Sequence, residues 1–258
     1  LHARPWFAAL PRLRRGYAAS AAGQYLALTG QAGADARFAE ALDLFDRAEI
    51  TGDQRAREKD QTGVYRAINA LDMGDAGALE LVTAILAAAG LGATLVDAAQ
   101  SLAACEPAEH AYRHHLFVRA LWMRRSEAVE AAEAYLQAAP WQWGAQHPWP
   151  LIGLYRGLLL YEAQRGDDAV EEWRSAVAVA GAPQHGAALH LIGATVAAVA
   201  LCLVEDDALR AEARRLLVGV VPAMPGAGET VKLLEYYLQY PSPGSVEEVL
   251  AVLPFNYR

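Results

Sequence analysis

Lysine is nearly missing from this 258-residue chain: only Lys59 and Lys232 occur, so arginine supplies 20 of the 22 basic residues. Together with abundant alanine, that usage points to a GC-rich bacterial genome. Cysteine is scarce as well. Cys105 and Cys202 lie far apart in alanine-rich segments and read as two small buried thiols in a reducing compartment, not as a disulfide framework. A chain of this length encloses enough interior to fold without staples. The net charge of −8 and pI near 5.4 argue against nucleic-acid binding, because a polyanion needs a positive field to release its counterions. Strand signals are missing too, with no sustained polar/apolar alternation and no Asn-Gly or Asp-Gly between β-branched runs. Nor is there a Gly-x-Ser-x-Gly elbow, a Gly-Lys-Ser/Thr phosphate loop or a dinucleotide fingerprint. The chain therefore reads as a non-enzyme with no catalytic residue and no cofactor.

The opening "LHARPWFAALPRLRRG" lacks the long apolar core of a signal peptide, which places the expected location in the cytoplasm. Residues 187–204, "AALHLIGATVAAVALCLV", are free of charge but rich in alanine. They contain His190 and run into Glu205, Asp206 and Asp207 without basic or aromatic anchors. Such a segment reads as a helix buried among helices, with no membrane span.

Spacings of three and four organise what is present. Phe38, Ala41, Leu42, Phe45 and Ala48 form one apolar stripe, and Val246, Val249, Leu250 and Leu253 another, so the fold is expected to be all-α. Glycine and proline clusters divide the chain into about ten to twelve helices. Thr51 with Gln54, and Ser245 with Glu248, have capping-box spacing. Asp167 and Asp168 put negative charge on a helix's first turn, where the dipole favours it. That reading also accounts for "DDAVE" at 167–171, whose acidic spacing would otherwise suggest a metal box. His110 and His114 lie one turn apart, but a zinc site needs further ligands, and no metal is assigned.

The helices come in pairs. Alanines at the equivalent place in four segments, Ala41, Ala128, Ala169 and Ala213, are 87, 41 and 44 residues apart. One unit near Ala84 completes a period of roughly 43. "SEAVEAAEAYLQAAP" and "GDDAVEEWRSAVAVAGAP" resemble the second helix of a tetratricopeptide repeat, with a small residue at Ala128 or Ala169 and Ala132 or Trp173 four later. Leu154, Gly157 and Tyr161 echo the first helix. The resemblance implies stacked antiparallel helical hairpins forming an α-α superhelix across a single domain, 1–258.

Within that frame "PWQWGAQHPWP", residues 140–150, is the connection between two hairpins: Pro140 stops one helix and Pro150 precedes the next. Its tryptophans are either a packing clasp or contact residues. "AYRHHLFVRALWMRR" carries Arg113, His114, Arg119, Arg124 and Arg125, and its Ala111, His115, Val118 and Trp122 make one core stripe. Arginine forks suit carboxylates and phosphates. Arg113, His114, Trp141, Trp143, Trp149 and Arg156 are thus the candidate partner-binding residues, lining a groove. The expected function is a bacterial scaffold that binds a protein or peptide as an adaptor, chaperone or toxin-neutralising immunity protein. The alternative is a helical enzyme or small-molecule binder with the tryptophan-rich loop at its pocket mouth.

Overall fold

Every regular element among the described residues is helical, as the three- and four-residue spacing predicts. The computed structural model describes residues 10–104, 110–138 and 149–253. Trp141, Trp143, Cys105 and most of the 140–150 connection lie outside them. The chain divides into two compact units, Leu1–Thr94 and Leu95–Arg258.

Unit 1 contains α1 (Arg12–Leu28), α2 (Ala34–Asp46), α3 (Gly52–Asp72) and α4 (Ala78–Ala88), each packed against the next. The buried face of α1 is made of small residues: Gly16, Ala19, Ser20 and Gly23. A Cβ on Gly16 would stand 2.5 Å from Phe45 Cε1, and one on Gly23 would stand 2.8 Å from Phe38 Cδ1. Two rings seven residues apart on α2 therefore fill two notches seven apart on α1, which lets the axes approach closely. Arg55 donates to the carbonyls of Phe45, Ala48 and Ile50 at 3.3, 3.0 and 3.4 Å. It thereby ties the end of α2 and the residues that follow it to α3. Thr51 caps α3, its Oγ1 accepting from Gln54 N at 3.2 Å.

Unit 2 runs through α5 (Leu95–Ala104), α6 (Ala111–Met123), α7 (Val129–Gln137), α8 (Pro150–Glu162), α9 (Gly166–Ala180), α10 (Ala187–Leu203) and α11 (Asp207–Val218). Shorter pieces follow: α12 (Val220–Ala223), α13 (Gly228–Gln239) and α14 (Val246–Leu250). Helices α8, α9, α10 and α11 pack as successive neighbours, while α5 lies on α7, α6 on α8, and α8 also on α10. Three of these helices are buried round their whole circumference. The buried runs are His114–Trp122 on α6, Pro150–Leu160 on α8 and Leu191–Cys202 on α10. Helices without a solvent face belong to a multilayered interior, whereas a single-layer stack leaves every helix one face outside. At 17 residues, α10 is the buried helix that its charge-free sequence predicts. No helix of the described residues is long and apolar enough to cross a membrane.

The α8–α9 hairpin turns on Trp173. Its indole N–H donates to the Leu154 carbonyl at 3.2 Å, and its ring centroid lies 6.3 Å from that of Tyr161. A Cβ on Gly157 would land inside the indole. Leu154, Gly157 and Tyr161, which echo a repeat's first helix in the sequence, thus all meet the same ring. The period itself is not uniform. Ala41, Ala128, Ala169 and Ala213 are buried, but Ala84 is exposed, and α4 packs through Ala78, Val82 and Leu86 instead.

Of the two expected capping boxes, Ser245–Glu248 does not form. Ser245 sits in a 3-10 turn with φ −96° and ψ 1°, away from the extended geometry a capping side chain needs, and makes no side-chain cap bond. Glu248 instead accepts from the Tyr237 hydroxyl at 2.9 Å. A different cap starts α11: Asp206 accepts from Ala208 N and Leu209 N at 2.9 and 3.0 Å, and from Arg174 at 2.8 Å.

Candidate functional site

Charge inside a protein is costly unless paired, so its distribution marks places under constraint. Among the described residues, buried charged or imidazole side chains gather on three helices of unit 2. They are His114, His115 and Arg119 of α6, Arg156 of α8, and Glu172 of α9. Outside this group only Asp206, a helix cap, is comparably enclosed.

The helices bring these groups together because α6 and α8 run side by side in the same direction. Their starts meet where the Tyr112 and Trp149 rings lie 4.7 Å apart, and their ends meet where Arg125 pairs with Glu162 at 3.1 Å. Burial pushes the Glu162 carboxyl up, with Arg125 opposing. Between these ends, α6 presents two adjacent histidines about 100° apart on the helix, and they enter two different environments.

His114 Nε2 is 2.6 Å from the Tyr135 hydroxyl of α7 in an edge-to-face arrangement. The Arg156 guanidinium lies over the other part of that aromatic system, 5.6 Å from the Tyr135 centroid. Its Nε is 3.5 Å from Glu172 Oε2, and both side chains are more than nine-tenths buried. Four helices thus contribute one polar side chain each to a single cluster: His114, Tyr135, Arg156 and Glu172. His115 looks the other way, toward Tyr155 at 5.7 Å and Trp149 at 6.3 Å, with Trp122 continuing the aromatic array 5.7 Å from Tyr155.

The sequence-based candidates separate accordingly. Arg113 is half-buried beside His110, 3.3 Å from its Nδ1. Trp149 is half-buried where α8 begins. Both belong to the end of the α6–α8 pair that reaches solvent. His114 and Arg156 do not line an open groove. They are 1% and 7% exposed, for a visible physical reason: the helices carrying them have no outer face. Arg119, placed by spacing on a basic surface, is also enclosed and donates toward Met123 Sδ at 3.4 Å. Trp141 and Trp143 lie outside the described residues.

Tyr112, Tyr135 and Glu172 were missed. A signal for the last two was present: Arg156 is the lone charge in "PLIGLYRGLLLY". A guanidinium on a helix apolar all round requires an acidic and an aromatic neighbour from the adjoining helices. Tyr112 lies beside Arg113 and is 61% exposed, an aromatic residue on a helix otherwise turned inward.

No group of three or more histidine, cysteine or acidic residues among the described residues is placed to hold a metal ion. In comparisons with family models, curated proteins and solved structures, nothing matched the chain.

Proposed function

We propose that the protein is a helical scaffold that binds a protein or peptide partner, with the shared starting end of α6 and α8 as its recognition surface. The observation that carries this reading is the Tyr112–Trp149 ring pair, with Tyr112 61% exposed and Arg113 beside it. Partly exposed aromatic rings next to an arginine are the side chains that dominate binding energy at interfaces. Two parallel helix N-termini at the same end add partial positive charge that favours an acidic partner. An adaptor, chaperone or immunity role, carried by helical hairpins of tetratricopeptide type, is the biological form of this proposal. It draws support from the paired packing of α8 to α11 and from the Trp173 seam.

Affinity purification from a bacterial host with partner identification by mass spectrometry tests it. Wild-type protein is expected to retain a protein that Tyr112→Ala/Arg113→Ala loses while keeping its helical circular dichroism. Recovery of no partner above background, or of the same partner by both proteins, overturns the reading.

A second reading has its own observation. The cluster of His114, Tyr135, Arg156 and Glu172 concentrates polar groups inside helices, as small-molecule sites do. It supports a helical small-molecule binder.

A further inference from the structure

We draw no further inference here: the strongest candidate, the exposed stripe of Leu233, Tyr236 and Tyr240 on the outer face of α13, carries nothing because nothing in the structure shows what covers it.

Discussion

In unit 1, Phe38 and Phe45 of α2 fill notches at Gly23 and Gly16 of α1; in unit 2 one larger ring, Trp173 of α9, fills the notch at Gly157 of α8. Both units close their helix pairs with a ring against a glycine, and they differ in what lies next to the seam. Beside the unit 1 notches the buried polar side chains are neutral, with Ser20 and Thr62 hydroxyls 3.4 Å apart. Beside Trp173 comes Glu172, and across from it Arg156, Tyr135 and His114. A ring in a notch stabilises in either unit. Enclosed charge adds no stability over apolar packing of the same volume, so its concentration in unit 2 is the better guide to function.

The largest expected effect breaks the seam itself. Trp173→Ala removes the fully buried ring and its bond to Leu154, and should cost about 4–5 kcal/mol. Phe38→Ala, removing a smaller ring from unit 1, should cost about 3–4 kcal/mol. Urea denaturation followed by circular dichroism measures both; equal small losses would mean that neither notch governs its unit.

Next in size is a charge experiment that separates the units. Arg156→Met leaves the Glu172 carboxylate buried without its cation and should destabilise by about 3–5 kcal/mol, whereas adding Glu172→Gln should recover most of that loss. Ser20→Ala in unit 1 removes one partner of a neutral pair and should cost only about 1 kcal/mol. If Arg156→Met proves as mild as Ser20→Ala, the cluster is better solvated than its burial implies.

How far these features can be read from sequence follows the same division. Where a helix has distinct faces, spacing locates its partners: Phe38, Ala41 and Phe45 are buried as their stripe predicts, and Trp173 meets Leu154, Gly157 and Tyr161. Where a helix has no polar face, spacing cannot orient it. Arg156 and His114 read as surface residues because isolated arginine and histidine usually are, but α8 and α6 leave them no surface to reach. Near Ala84 a helix forms, but Ala84 itself faces outward, since alanine is as much at home on an exposed face as at a seam. The boundary between Thr94 and Leu95 falls just past Gly90 and Gly92, breakers that are visible in the sequence but resemble those inside either unit.

Overfilling gives a smaller effect than removal. Gly23→Ala places a methyl against the Phe38 ring, whose atoms would be 2.8 Å away. The ring must shift within its helix pair, at a cost of about 1–3 kcal/mol. Gly157→Ala should be worse, because the indole is fixed by its bond to Leu154 as well as by packing. Thermal melts of the two variants rank them directly, and the reverse order would show that the indole has more freedom than the phenyl ring.

The smallest effects separate the units by pH. Thr51 caps α3 of unit 1 with a neutral hydroxyl, and Asp206 caps α11 of unit 2 with a carboxylate whose side chain is 3% exposed. Burial alone would raise the Asp206 carboxyl, but the Leu209 amide, the Arg174 guanidinium and the Ala208 amide outweigh it and hold it below its ordinary value. A carboxyl depressed on folding stabilises above its unfolded pKa, about 3.9, and loses that contribution as pH falls through its folded value. Asp206→Ala should therefore cost about 1–2 kcal/mol at pH 7 and progressively less below about pH 4. Thr51→Ala, with no proton to gain, should cost about 1 kcal/mol at both pH values. Denaturation midpoints at pH 7 and pH 3 test the contrast, and a cost for Asp206→Ala that is independent of pH would mean that its hydrogen bonds hold without its charge.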